Sequence, residues 1–569
     1  MPPSETAVLE TPPSLIARLS HSSTLIWIAI YILITSVTGA FFMADTVDYV
    51  SSVLRHEQGV NFVFWDFRHL FWRPLGWVVF HYSNLVLSYI DIPAARAGIT
   101  RIFIALNWIA GLVSVLLLRQ LLRRFCDRAW AINFALLTFL FAQGFMNFLH
   151  SGSSYVFGLS LLITGMYFLY ADPWEPSVSR VLAGALALAF SVCFWFPYFF
   201  AIPGALAVPL FVSRTGWRTT LKATALCLCL GIIFYGAVIL HLRLHNIDAL
   251  RTWIASGASD VAGVRGPKRT IFGLARSFIN MGQDGVLYKR FLLHDPYNRV
   301  SLWQLARLSV FKLAIFYLLL ATIGWALWRS QADRRVLLLC LFGAVPVVAF
   351  GLYWYGGDVE RYLPLYPFFF LGLACALGRR PARWVQAIAI IFLATAVVSN
   401  LSAMSMLTLR HQEKLSEDRL RALLPVYRPH SRIVLVDIHD DLENFSRSFP
   451  LLPIINRSDF SFYPALNPGT PQTLHWRQDF AQTVARVWDQ GGDVWLSQRL
   501  FEERPRPDSA WAEGDDARVK WADVYKFFTR FDLGRPAGGQ DGFVLLLSDQ
   551  TDRELLAAES SASPSSLVK

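Results

Sequence analysis

From Thr24 to Met404 the chain returns again and again to sparsely charged apolar runs. Most are about 17–22 residues long, the length an α-helix needs to cross the hydrocarbon core of a bilayer. They read as Thr24–Met43, Ile99–Leu118, Ala129–Leu149, Ser154–Ala171, Val181–Phe196, a short Phe199–Val212, Leu221–His241, Leu308–Trp328, Val336–Tyr355, Tyr362–Leu377 and Trp384–Met404. No soluble core can absorb so many, and the bulk figures agree: 54% hydrophobic and 16% charged residues, with mean hydropathy +0.40. The expected fold is an α-helical polytopic membrane protein with about 11 transmembrane helices plus interfacial helices. A small α/β C-terminal domain follows it.

Arginine placement orients these runs. Residues 44–98 separate the first two, and Arg73–Ile90 within them is apolar enough to touch lipid, although His81, Ser83, Asn84 and Ser88 interrupt it. With that segment lying in the interface, Arg119, Arg123, Arg124 and Arg128 fall on the cytoplasmic side. Arg214, Arg218 and Lys222 join them, then Arg329, Arg334 and Arg335, then Arg379, Arg380 and Arg383. A crossing at Arg73–Ile90 would move every cluster outside. The N-terminus is therefore expected inside and the C-terminus outside. Ala44-Asp45 is a poor cleavage site, so the first run reads as an uncleaved anchor.

The domains expected are a Pro/Ser-rich cytoplasmic tail (1–23), a transmembrane domain (24–405) and an extracytoplasmic α/β domain (406–569). Within the second, 44–98 is an outward loop with interfacial helices and 245–305 a basic outward loop. The last segment carries 20 Lys+Arg and 24 Asp+Glu, so the net charge of +11 belongs to the membrane part. An acidic soluble portion excludes a nucleic-acid partner and leaves membrane lipids as the partner of the basic face. Loop 245–305 holds eight Lys+Arg against four Asp, with Arg265, Lys268 and Arg269 the densest group, and its glycines read as a mobile excursion. The six cysteines lie in or beside the apolar runs and imply no disulfide framework.

Candidate chemistry gathers at the outward ends of the runs. Asp45 and Asp48 follow the first span, where an ionisable group is a functional candidate by default. Three apart, they would share a helix face, and one could take a proton from an acceptor hydroxyl. The plainer reading is a solvated helix N-terminus, capped and favoured by the macrodipole. Tyr49 continues that helix. Arg73, in Phe71-Trp72-Arg73-Pro74-Leu75, could fork onto a lipid phosphate or simply anchor at the interface; Arg68 and His69 compete for the role. Arg361 and Tyr362, in the hairpin Gly356–Pro364, and His150 and Tyr155, around the turn His150–Ser154, would border the same outward cavity. A satisfied interfacial histidine is the plainer account of His150.

An acidic Asp-x-x-x-Tyr after the first span, a basic-Pro-Leu interfacial segment, Arg-rich cytoplasmic turns and an outward Arg-Tyr-Leu-Pro hairpin together resemble the GT-C superfamily of membrane glycosyltransferases. The pattern is most similar to bacterial relatives of protein O-mannosyltransferases and lipid A aminoarabinose transferases, over residues 24–405. The resemblance implies catalytic Asp45 with Asp48 and Tyr49 beside it, Arg73 near the donor phosphate, and Arg361 with Tyr362 at the cavity border; the basic cations Arg265, Lys268, Arg269 and Arg361 could bind the donor phosphate, or those of the loop could only attract anionic lipid. It implies a cavity lined by Tyr49, His69, His150, Tyr155 and Tyr362. It also implies a polyprenyl-phosphate sugar donor, a glycan, lipid or protein acceptor, and residence in the bacterial cytoplasmic membrane. Arg73 stands where relatives carry lysine, and His150–Ser154 lacks the acidic residue many have there. No cofactor is required by the motifs; a divalent cation, Mg or Mn, stays open. Two alternatives remain: a lipid-linked sugar transporter or flippase, which would favour Gly/Pro-broken half-helices in two related halves, and an O-antigen ligase or polymerase.

Overall fold

The computed structural model describes residues 22–41, 43, 45–60, 64–87, 92–170, 176–212, 216–255, 266–281, 284–305, 309–329, 331–379, 382–437, 460–466, 475–507, 511–514, 517, 519–537 and 542–561. Six described helices are long and apolar enough to cross a membrane: Ala95–Phe125, Gly216–His241, Phe311–Trp328, Arg334–Tyr353, Glu360–Gly378 and Arg383–Met404. Ala129–Leu140 and Gln143–Leu149 make a seventh if the pair, bent by 57°, is one span. Shorter apolar helices occupy Thr24–Val37, Tyr155–Leu169, Val178–Phe194 and Phe196–Val212. The chain is thus a membrane protein, with a helix within each apolar run.

Burial sorts the helices into an inner and an outer set. Glu360–Gly378 is wholly enclosed, whereas Gly216–His241 turns Leu228, Ile232, Ile233 and Leu240 outward, as a lipid-facing helix does. The helices approach through small residues, which let backbones come close where no hydrophobic drive exists between helices in lipid. A Cβ on Gly204 would lie 2.4 Å from the Cα of Gly343, so neither position admits a larger side chain.

The ends of the spans fix relative sidedness. Thr38, just after the first helix, bridges to Ser405, just after the last, and Gly39 N–H donates to Met404 O at 2.9 Å. Asp45 and the start of helix Met406–Leu423 therefore lie at the same end of the bundle. At the opposite end Arg119 donates to Thr24 Oγ1 at 2.9 Å.

The bend after Leu140 leaves backbone carbonyls without their helical donors, a cost that must be met inside a membrane. Asn400, fully buried on Arg383–Met404, meets it. Its amide donates to Phe141 O and to Phe278 O (2.9 Å), and its carbonyl accepts from Asn280 N–H at 2.6 Å.

Loop 245–305 differs from the mobile excursion its glycines suggest. It forms helices Ile247–Ala255, Pro267–Phe278 and Asp284–Leu293, and Phe278, Ile279 and Met281 join the membrane core. Gly273 is small because Gly356 O lies against it; a Cβ would approach to 2.0 Å. Arg290 and Asp295, both buried, pair at 3.4 Å. Arg290 also donates to the carbonyls of Pro507, Arg506 and Trp511, so this loop is fastened to the residues after 406.

Those residues build a five-stranded sheet, β1 Arg432–Asp437, β2 Phe462–Leu466, β3 Val494–Ser497, β4 Leu533–Ala537 and β5 Phe543–Leu546, in the order β2-β1-β3-β5-β4. β1 is parallel to β2 and β3; β5 is antiparallel to β3 and β4. The period-2 alternation of β1 feeds two cores. Val434 and Val436 face helix Trp476–Asp489, while Ile433 and Leu435 meet Leu420 and Leu423 of helix Met406–Leu423. Pro536 is tolerated because β4 is an edge strand.

Candidate active site

The helix Thr46–Glu57 begins at Asp45. Its apolar stripe, Tyr49, Val50, Val53 and Leu54, is buried, and the chain leaves it through Gly59 at φ 69°. Asp45 sits at the N-cap position, yet its side chain makes no capping bond. Its Oδ2 instead accepts from two buried hydroxyls, Tyr155 at 2.7 Å and Tyr49 at 3.1 Å. Among the described residues Oδ1 has no such partner, and Asp45 is half-buried. One carboxylate oxygen is thus held by both hydroxyls.

Behind the pair the hydrogen bonds have one consistent direction. Tyr49 O–H donates to Asp45, so the nitrogen 3.0 Å from Tyr49, His69 Nε2, must carry its proton. Nδ1 then accepts from Ser154 Oγ at 2.9 Å. Burial pushes the imidazole down to about 4, against the pull of Asp66 and Asp45, so His69 is neutral at pH 7. Burial, reinforced by the Asp45 charge, raises the Tyr49 hydroxyl well above its ordinary range and keeps it a donor.

The turn His150–Ser154 closes this arrangement from below. Asn107 donates to the carbonyls of Ser151 and Ser153, at 2.8 and 2.7 Å, and Trp72 donates to Gly152 O at 2.8 Å. Gly152 N–H donates to Thr46 Oγ1 at 2.8 Å, tying the turn to the start of the Asp45 helix. A buried turn of this kind is filled by backbone and has no room for an acidic side chain.

Cations approach from two sides. Arg73 is already paired, with Asp66 at 3.2 Å, and its guanidinium lies 5.7 Å from the Tyr49 ring. Arg361, buried in the hairpin, lies among Trp195, Trp354 and Tyr355 at 5.3–5.8 Å and 3.8 Å from Asp358. Arg68 lies 5.8 Å from the same Trp354 ring. Asp45 is within electrostatic reach of Arg361, Asp358 and Glu360.

The remaining expected residues divide. Lys268 and Arg269 are exposed at the start of Pro267–Phe278, the helix whose Gly273 abuts the hairpin, and Arg269 acts on Asp358. Arg265 lies outside the described residues. Asp48 is exposed, and the tyrosine hydroxyls go to Asp45, so the structure does not join the two aspartates in one site. Tyr362 does not line a cavity: it is fully buried and donates to Gly356 O at 2.7 Å, fixing the hairpin. His150 is held between Thr38 Oγ1 (3.0 Å) and Trp108 Nε1 (3.4 Å), a satisfied interior histidine. Asp66 was hidden from sequence reasoning because it has no motif, only its place seven residues before Arg73.

A divalent ion would need convergent ligands. Among the described residues Asp45, Asp358 and Glu360 do not bring ligand atoms close enough to share one, and Asp358 faces Arg361 and Arg276 instead.

No protein-family model matches the chain, and no curated protein matches its sequence. Among solved structures it is similar to ArnT from Cupriavidus metallidurans bound to undecaprenyl phosphate, at 11% identity and TM-score 0.47 over 93% of this chain and 98% of that one. The apo form of that ArnT gives 10% identity and TM-score 0.45 over 92% and 98%. The Archaeoglobus fulgidus oligosaccharyltransferase, in complex with Zn and sulfate, gives 11% and 0.41 over 88% and 70%. ArnT, a lipid A aminoarabinose transferase, and the oligosaccharyltransferase are both GT-C glycosyltransferases.

Proposed function

We propose that the chain is a GT-C-type membrane glycosyltransferase that moves a sugar from a polyprenyl-phosphate-linked donor to a hydroxyl of a lipid, glycan or protein. The observation that carries this reading is the Asp45 carboxylate, with Oδ2 held by two buried tyrosine hydroxyls and the group within electrostatic reach of Arg361. The acceptor hydroxyl oxygen attacks the anomeric carbon, the bond from that carbon to the phosphate oxygen breaks, and the lipid phosphate leaves with the electron pair. Asp45 Oδ1 takes the acceptor proton. Arg361 and Arg68 face the departing phosphate, where one well-placed donor is worth about 3 kcal/mol. Lys268 and Arg269 attract the donor headgroup more than they react with it. Arg73 holds Tyr49 and Asp66 in place.

The reaction is assigned to the outer face of a bacterial cytoplasmic membrane, with eleven crossings when the shorter apolar helices are counted as spans. The N-terminus is then inside and residues 406–569 outside. The test is reconstitution of the purified protein with radiolabelled polyprenyl-phosphate sugars, reading released polyprenyl phosphate. Turnover of at least one donor, lost in Asp45→Asn, supports the reading; a donor panel turned over equally by both proteins overturns it.

A further inference from the structure

The C-terminal sheet carries a second set of acidic groups outside the site above. Asp532 immediately precedes β4. Asp549 caps helix Gln550–Ser561: its Oδ1 accepts from Asp552 N–H at 2.8 Å, and its carbonyl from Arg553 N–H at 3.1 Å. Asp552 stands one turn into that helix. One carboxylate oxygen from each of the three lies within 4.8 Å of the others.

Asp552 is what separates this cluster from an ordinary acidic surface. It is 0% exposed. Its Oδ1 accepts from Asp532 N–H at 3.3 Å, while Oδ2, also buried, has no hydrogen-bond partner among the described residues. Nearby arginines are engaged elsewhere. Arg530 binds Glu559 at 2.9 Å, and Arg553 donates to Ser548 O at 3.3 Å with its guanidinium 5.6 Å from the Trp488 ring. A buried carboxylate oxygen with no donor, flanked by two like charges, is costly unless a cation or a proton neutralises it.

The donor set names the ion's class. All three ligands are oxygens, which suits hard cations such as calcium, magnesium and manganese better than zinc or copper. Two oxygens on opposite sides of a calcium ion are roughly 4.6–5.2 Å apart, from Ca–O distances of 2.3–2.6 Å, so three oxygens all within 4.8 Å of one another can share one. Calcium also tolerates an irregular shell completed by water, whereas magnesium demands a near-ideal octahedron.

We propose that Asp532, Asp549 and Asp552 bind a calcium ion that ties edge strand β4 to the C-terminal helix Gln550–Ser561. The site is independent of the transferase reading, since its test reads binding and not transfer. The tie has a structural consequence: Leu556 of that helix sits in the core formed with Trp476–Asp489.

The test uses the full-length protein in detergent, stripped with chelator and titrated with CaCl2 at pH 7.5 by calorimetry and by thermal unfolding. One calcium per chain is expected, with a Kd of roughly 10⁻⁴–10⁻³ M, the range of open extracellular modules. Asp532→Asn, at an exposed position, should weaken binding at least about tenfold. Asp552→Asn should abolish it and, by removing the buried charge, unfold no earlier than the calcium-free wild type. No calcium-dependent heat or Tm change up to about 10 mM would overturn the proposal. So would unchanged binding in Asp532→Asn, or an Asp552→Asn protein less stable than the stripped wild type.

Discussion

Asp45→Asn separates catalysis from architecture at a single atom. Both tyrosine hydroxyls donate to Oδ2, so an asparagine that places its carbonyl there keeps both bonds in neutral form. Converting a charge-assisted bond to a neutral one costs about 1 kcal/mol, hence about 2 kcal/mol for the pair at most. The half-exposure of Asp45 lowers that further. The helix loses nothing at its start, because Asp45 makes no side-chain cap and asparagine would cap as well. Loss of the base should instead slow transfer about 10²–10⁴-fold, roughly 3–5 kcal/mol of barrier. Single-turnover release of polyprenyl phosphate measures the rate, and tryptophan-monitored unfolding of the same preparation measures stability. Transfer by a well-folded Asp45→Asn protein within about threefold of wild type would remove Asp45 from the chemistry, since that is only ~0.7 kcal/mol.

Three further outcomes are expected. His69 has a folded pKa of about 4 against an ordinary 6.5; the unfolded chain therefore protonates first, and stability that is full above pH 6.5 falls as pH drops toward 4. The loss is about 2 kcal/mol at pH 5, with His150 adding in the same sense, and His69→Gln should flatten the Tm–pH slope; an unchanged slope refutes the neutral assignment. Arg361→Lys should raise the apparent donor KM about tenfold or more while folding normally, because a lysine has neither the fork nor the flat face set against Trp354; an unaltered KM removes Arg361 from the donor site. In a cysteine-free background, Lys268→Cys and Arg428→Cys should react with an impermeant reagent from outside and Arg218→Cys should not; all three positions are exposed, and labelling of Arg218→Cys alone inverts the topology.

Much of the membrane part was legible because lipid imposes a length on its helices that a sequence displays directly. Asp45, Tyr49 and Tyr155 could be named for a similar reason: polar groups at helix mouths are conspicuous in an apolar chain. What stayed hidden was pairing. Arg73 resembles a free phosphate ligand until Asp66 is seen beside it. Tyr362 resembles a cavity residue until its hydroxyl is found on Gly356 O. Neither partner is announced by periodicity or composition. The glycines of 245–305 misled for the opposite reason: Gly273 gives close approach to the hairpin, and spacing alone does not distinguish that from freedom. Beyond residue 406 the strand-like runs at 433–436, 494–496 and 543–547 coincide with β1, β3 and β5. β2 and β4, interrupted by proline, gave no such signal.

Asn400 bears on how this chain can change over time. One short amide serves three backbone groups contributed by the helix bend, the loop helix and the residue just past it. A hydroxyl is too small to reach all three, an aspartate has no proton for the two carbonyls, and a glutamine is one methylene too long for a site with no exposed surface. Tolerance at position 400 is therefore conditional. A lineage could relinquish the asparagine only after straightening the break at Phe141, and straightening it would withdraw Gln143–Leu149 and the serine turn from beneath the aspartate. The bend and the side chain that repairs it can be inherited only together.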